Sequence, residues 1–560
     1  FIYHLPSDHY MNLRWLDLSD NHFDGKLQEN IGKWIPKLEY LNLSQNQFEG
    51  NLPSSIGDMS NLWVLDLSFN KFSRKVPIEL VANCTSLDIL RLSNNNFHGE
   101  IFSKHFNLSL VAIELQNNNF TGTLPGVPLK VRLLLNISNN HMTGTIPLWI
   151  VNRKSNCLSK MSKLAHLNLS WNNFDKEILK ILGALPVLKS LDLSSDQMEG
   201  PLPSHDMANF SSLKILDLSE NSFTGSIPPY IGALSSLKAI SLYSNPLNGT
   251  LAIREMCALK KLEELDLGRN NFEGILPPCL TNLTSLRFLD ISYNRFSGNL
   301  SLSPVASWTS LEYIDLSYNL FEGLFSFSLF ANHSKLKVIQ LFSDNKKLDI
   351  ETENTNWDPS FQLKVLLLSN CSLNKPTGNI PKFLFNQREL EVVDISHNKL
   401  NGSFPIWLLE NNTRLQLLSL RSNSFAGQFY LPSYRSMDLH WLDVSDNNLD
   451  GQLQENIGKI IPKLEYLNLS QNYFVGDLPS SVGDMSNLYK LDLSFNNFSG
   501  EVPMELVANC TGLDILRLSN NNFHDEIFSK HFNLSLLSSL EINNNYFTGT
   551  LPVVRLRVFS

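Results

Sequence analysis

The chain has 560 residues, of which 42% are hydrophobic and 18% charged, with a formal net charge of −9. That balance excludes a disordered chain, and an acidic total with scattered Lys and Arg supplies no basic field for nucleic acid. No run of about eighteen apolar residues exists to span a bilayer, the longest pieces resembling IPLWIV from Ile146, and the opening FIYHLPSDHY lacks a signal-peptide pattern.

From Leu13 to Asn545 the phrase L-x-x-L-x-L-x-x-N recurs about twenty-two times at roughly 24-residue spacing, as in LEYLNLSQN from Leu38 and LKILDLSEN from Leu213. The period predicts an α/β solenoid of leucine-rich repeats. The expected form is a right-handed superhelix with a parallel sheet on its concave face and an irregular, 3-10 or briefly helical convex side. Within each unit the L-x-L core reads as a short strand with alternate residues outward, and the closing Asn serves the backbone of the turn. A Phe or Leu and then a Gly follow, so most of the 34 Phe are expected as a stacked internal spine rather than a cofactor box.

In chain order, residues 1–150 read as repeats, 151–163 as a junction, 164–344 as repeats, 345–362 as a polar loop standing off the solenoid, and 363–560 as repeats again. Residues 11–110 align without a gap onto 437–536, about four positions in five being identical, so the first block is a copy of the late block 437–550. Copying of whole blocks, with a join near residues 125–163, explains the repetition of variable residues in LVANCT from Leu80 and Leu506. Both chain ends look cut, without a cysteine-paired cap, as in a fragment.

The Asp of L-D-L-S, including Asp17, Asp66, Asp192, Asp217, Asp266, Asp290 and Asp315, is expected as a generic solvated ladder on the sheet face. Asp196 and Asp344 replace ladder Asn residues and mark weaker coils. More specific is a run of outward aromatics. Arg269, Tyr293 and Tyr318 precede the ladder Asn in three successive repeats, and Tyr243, Phe288 and Tyr313 are placed on neighbouring outward strand positions. Strands about 4.8 Å apart would make these a continuous patch of the residue types that anchor interfaces, although a Tyr before the ladder Asn also serves to shield a strand edge. Trp441 and its duplicate Trp15 rank second.

Six cysteines are too few for a disulfide scaffold. Cys257 and Cys279 lie about one repeat apart and are candidates for a disulfide, Cys371 takes the Asn-or-Cys ladder position, and Cys84 and Cys510 are expected as free or buried. The expected glycan acceptors are Asn83, Asn209, Asn248, Asn282, Asn332, Asn401, Asn411 and Asn509, those on the convex side such as Asn83 and Asn282 being the better ones. The N-L-S triplets at Asn42, Asn168 and Asn468 are by-products of the repeat. No nucleophile, acid-base, phosphate or metal constellation appears, so neither catalysis nor a cofactor is expected.

The G-x-I-P segments GTIPLWIV from Gly144, GSIPPYIG from Gly225 and GNIPKFLF from Gly378 resemble the plant-specific class of leucine-rich repeats. CALKKLEELDLGRNNFEGILPPCLTNLTSLRFLDIS from Cys257 and NWDPSFQLKVLLLSNCSLNKP from Asn356 resemble the ectodomains of plant receptor-like proteins. The resemblance implies a glycosylated extracellular domain at the plasma membrane, tethered through a segment absent here, that perceives a peptide, protein or glycan and signals through partner receptor kinases. Three other readings stay open: a secreted inhibitor of microbial cell-wall hydrolases, a receptor-kinase ectodomain, and a non-functional fusion of tandem receptor copies.

Overall fold

The structure, a computed structural model, describes residues 12–550 apart from 104, 107, 125–128, 145–162, 175–178, 180–184, 186, 204–210, 252–255, 344–346, 355–356, 433–436 and 529–535. All of the junction expected at 151–163 but its last residue lies outside the described residues, as do Asn209 and Asp344. Two compact units are present, residues 1–273 and 274–560.

In the first unit the L-x-L cores form a parallel ladder that starts Trp15–Asp17, Tyr40–Asn42, Val64–Asp66, Ile89–Arg91 and runs on to Ala239–Ser241 and Glu264–Asp266. The register holds from coil to coil, Leu16 facing Leu41 and Leu41 facing Leu65. These central leucines point inward, Leu41 and Leu65 being wholly buried, while Tyr40 and Asn42 beside Leu41 are half-buried. The register slips between Val131 and Leu134, in the degenerate repeat before Asn136.

The ladder Asn residues close the regular turns. Asn46 donates from Nδ2 to the carbonyls of Leu18, Leu43 and Ser44 at 2.8, 3.2 and 3.0 Å, and its Oδ1 accepts from Phe23 N at 2.9 Å. One amide therefore satisfies backbone groups of two coils that would otherwise be buried unpaired. Below it the Phe spine stacks as expected, Phe48, Phe72, Phe97 and Phe120 following one another at centroid spacings of 6.0–6.1 Å.

After the Asn the chain is more regular than the sequence suggests, because the extended piece is itself hydrogen-bonded. Asp24–Lys26, Gln47–Gly50, Lys71–Arg74, Asn96–Gly99 and Asn119–Gly122 pair in parallel as a second row. Short helical turns then return the chain, such as Ile31–Trp34, Ser54–Asp58 and Ile78–Asn83. They pack closely enough that a Cβ on Gly32 would lie 1.6 Å from Ser55 O.

The second unit repeats this plan from Phe288–Asp290 and Tyr313–Asp315 to Ile515–Arg517 and Ser539–Glu541, with a second row from Asn401–Gly402 through Asn497–Gly500. Asn447 reproduces the amide bonding on Leu420, Val444 and Ser445 at 3.0, 3.1 and 3.1 Å. Within the stretch 345–362 the described residues include a paired strand and buried side chains. Leu348–Glu351 is a strand paired with Leu320–Ser326, and Leu348, Ile350, Thr352 and Phe361 are buried. The alternating apolar Leu348 and Ile350 give this piece a face to bury, and Thr352 N donates to Asn374 Oδ1 at 2.8 Å.

Candidate ligand-binding face

The residue before each ladder Asn adopts a left-handed conformation, φ being 53° at Arg269, 51° at Tyr293 and 53° at Tyr318. A side chain there costs roughly 1–2 kcal/mol, which the turn offsets by inter-coil bonds such as Tyr293 N to Ser317 O at 2.9 Å and Tyr318 N to Phe342 O at 2.8 Å. The conformation swings the side chain out beside the strand ends, where successive coils stack their side chains on one another.

In the second unit this brings together two rows of rings. Phe288 and Tyr313, directly opposed across adjacent strands, stack at 4.4 Å and 13°. Tyr293 stacks on Tyr318 at 4.1 Å, and Tyr318 on Phe342 at 4.3 Å. Tyr293 keeps 44% of its surface exposed at the end of that row. Gln340 Nε2 donates to Tyr313 Oη at 3.2 Å, and Arg287, Glu312 and Lys337 flank the rings as an ion-pair chain of 2.6 and 2.9 Å. The two cations hold the Glu312 carboxyl below its ordinary range through hydrogen bonds from Lys337 first and Arg287 second. Phe342 was not singled out from sequence. It sits one position before the Tyr slot of an irregular repeat, and only the stack on Tyr318 reveals it.

The remaining candidates fall elsewhere. Tyr243 and Arg269 belong to the first unit, and Tyr243 lies two residues beyond the strand Ala239–Ser241 rather than on it, with Arg269 Cζ 5.8 Å from its ring. Trp441 stacks on Tyr466 at 3.6 Å, and Lys490 Nζ lies 4.8 Å from the Tyr466 ring. Burial pushes the Tyr466 hydroxyl up to about 12, and it donates to Asp443 Oδ2 at 3.2 Å. In the duplicated block Trp15 stacks on Tyr40 at 3.7 Å and is 57% exposed. Trp15 is exposed and Trp441 half-buried, while Tyr466 beneath Trp441 is buried.

The Asp ladder is less solvated than expected. Asp66 Oδ1 accepts from both the N–H and the hydroxyl of Ser68 at 3.0 and 2.6 Å, and Asp217 does the same with Ser219. Each carboxylate thus holds its own turn, which the sequence pattern D-x-S signalled without being read. Where the surroundings close in, desolvation dominates, and Asp315 is pushed up to about 6. Asp196 is the extreme: it is 1% exposed, accepts from Asn172 N at 2.8 Å through Oδ1, and is pushed up to about 8 by burial.

Cys257 and Cys279 are each disulfide-bonded, whereas Cys84, Cys371 and Cys510 are buried thiols. Burial pushes the Cys84 and Cys510 thiols up to about 11, so neither is a reactive thiolate. Asn83, Asn248, Asn282, Asn332, Asn401 and Asn509 are exposed, and Asn411 is half-buried with Nδ2 on Phe385 O at 3.4 Å. Asn42 and Asn468 instead accept from Ser44 N and Ser470 N at 3.0 and 3.1 Å, as sheet-face residues do. Among the described residues no helix is long and apolar enough to cross a membrane.

Comparison with known proteins agrees with this architecture. Leucine rich repeat families match residues 11–72 and 257–296, 212–234, 463–485 and 487–508, and 160–182. Receptor-like protein 13 of Arabidopsis thaliana is 50% identical over 108 residues, 19% of this chain and 10% of that protein. Cuscuta receptor 1 of Solanum lycopersicum is 43% identical over 116 residues, 20% of this chain and 10% of that protein. The matches thus span about a tenth of the length of these curated relatives. Among solved structures, the PEPR1–AtPEP1 complex aligns with a TM-score of 0.65 at 26% identity, covering 98% of this chain and 81% of that one. The plant peptide hormone receptor RGFR1 with RGF2 gives 0.65 at 27% identity, covering 97% and 91%. The Arabidopsis receptor kinase HAESA, in complex with the peptide hormone IDA and the co-receptor SERK1, gives 0.64 at 25%, covering 97% and 88%. The chain is a leucine-rich-repeat solenoid of the kind these plant receptor ectodomains share.

Proposed function

We propose that this leucine-rich-repeat chain, similar over 19% of its length to a plant receptor-like protein, is a ligand-binding receptor ectodomain that acts on the extracellular side of the plasma membrane and recognises a peptide or protein on its outward sheet face. It binds and does not catalyse, and its signal passes to a partner receptor kinase. The observation that carries this reading is the double row of rings in residues 274–560: Phe288 on Tyr313, and Tyr293 on Tyr318 on Phe342. Stacked rings are already ordered, so a ligand that lies across them buries aromatic area without freezing side chains, and the Arg287–Glu312–Lys337 chain supplies polar contacts at the rim. Structural neighbours whose structures include peptide hormones, one of them with a co-receptor, support the ligand class and the partner class. Tyr243, Arg269 and Trp441 are further contact candidates.

The test is Tyr293→Ala combined with Tyr318→Ala. Peptide binding is expected to weaken at least tenfold while the circular-dichroism melt stays nearly unchanged, because truncating an anchoring aromatic costs about 2 kcal/mol or more at an interface and little in an exposed turn. Unaltered affinity removes this patch.

A further inference from the structure

A cleft of about 780 Å³ lies beside the second strand row of the first unit. Lys26, Glu49 and Lys71 occupy successive paired positions there, Lys26 opposite Glu49 and Glu49 opposite Lys71. With strands about 4.8 Å apart, the two lysines leave the backbone about 10 Å from one another, a carboxylate between them. Arg74 and Glu29 complete the charged lining, and Lys75, next to Arg74 in the chain, lines a neighbouring cleft. Among the described residues Lys26, Arg74 and Lys75 make no ion pair, and Lys71 reaches only Gln47 Oε1 at 3.3 Å.

The duplicated block serves as an internal control. Residues 11–110 and 437–536 are about four-fifths identical, yet Lys26, Lys71, Arg74 and Lys75 correspond to Gln452, Asn497, Gly500 and Glu501. Each change replaces a neutral or acidic residue by a cation on one flank. Arg74 is also held at φ 67°, in the slot that glycine fills at Gly50 and Gly99 with φ of 78° and 80°, and at Gly500 with 74°. A guanidinium is thus carried on a backbone conformation that disfavours any side chain.

We infer that the cleft lined by Lys26, Glu49, Lys71 and Arg74 binds an extended peptide segment that presents two carboxylates about 10 Å apart around a neutral or basic residue. Arg74 supplies a planar fork for one carboxylate, and Lys26 and Lys71 supply point charges. Glu49 decides between ligand classes. A polymer with a carboxylate on every unit, such as an oligouronate, would set a negative charge against it, whereas a mixed-charge peptide places a basic residue there. The inference is independent of the aromatic face, since its residues and its ligand charge are different.

The experiment uses the full chain and short synthetic peptides with two glutamates four residues apart and a lysine midway, so that all three side chains share one face of an extended segment, at low ionic strength, with oligogalacturonate as the competing class. The comparison protein carries Lys26→Gln, Lys71→Asn, Arg74→Gly and Lys75→Glu, residues that the second copy already accommodates in the same fold. The peptide is expected to bind the parent chain, at least tenfold more weakly to the variant, and more weakly with added salt. Equal binding by both proteins, oligogalacturonate bound as well as the peptide, or no binding of any probe at millimolar concentration overturns the inference.

Discussion

Replacing Asp196 by Asn is expected to stabilise its coil. At the neighbouring regular position, Asn221 donates to the carbonyls of Leu193, Leu218 and Ser219 at 2.9, 3.2 and 3.0 Å, and its Oδ1 accepts from Met198 N at 2.9 Å. Asp196 keeps the acceptor role, but its buried Oδ2 has no partner. Its ionisation at about 8 in the fold, against 3.8 ordinarily, sets the sign of the pH effect. The folded chain keeps a proton that the unfolded chain sheds above pH 4, so stability falls as pH rises from about 4 to about 8 and is level above that. Each pKa unit corresponds to about 1.4 kcal/mol, so the loss over the window is several kcal/mol. An amide removes that loss and restores donors worth about 1 kcal/mol each, for a gain of roughly 1–3 kcal/mol at pH 5 and more at pH 8. Because a solenoid coil opens largely on its own, the assay is amide hydrogen exchange of peptides covering residues 187–203 at both pH values, corrected for intrinsic rates. Unchanged protection, or the same pH dependence in both proteins, refutes the argument.

Other expectations are as direct. Gly458→Ala places a Cβ 1.6 Å from Ser481 O, so the coil must open, and unfolding in urea is expected to show a loss above about 3 kcal/mol; a loss under about 1 kcal/mol contradicts the packing. In secreted material Asn83→Gln and Asn282→Gln each remove one glycan and raise gel mobility, while Asn42→Gln and Asn468→Gln leave it unchanged; a shift from either of the latter pair contradicts the sheet-face assignment. Phe498→Ala, in the spine between Phe474 and Phe523, is expected to cost about 3–5 kcal/mol of local stability by the same exchange measurement, and a cost below about 1 kcal/mol would argue against a stacked spine.

What could be read from the chain and what could not divides along the repeat. The strands, the Asn ladder and the Phe spine follow from residue types at a fixed period, and each is in place, from Asn46 under Leu18 to Phe97 on Phe120. The second strand row escaped notice because its hydrogen bonds run between residues about 23 apart and leave no local pattern, as in Lys26 opposite Glu49. Within residues 345–362 the acidic composition hid the apolar Leu348, Ile350 and Phe361, which are buried. The aromatic candidates were visible as outliers from the repeat. Their organisation was not, since whether Tyr318 meets Phe342, or Tyr243 meets Arg269, depends on how irregular repeats align in space.

The most direct measurement places a photo-crosslinking phenylalanine analogue at Tyr293 in one protein and at Asn332, on the helical side, in another, and exposes each to plant extracellular fluid before the adducts are sequenced. A receptor ectodomain that reads peptides on its aromatic sheet face gives a defined peptide adduct at residue 293 and none at 332. Adducts at 332 alone, equal labelling of the two positions, or no peptide at 293 contradicts that account.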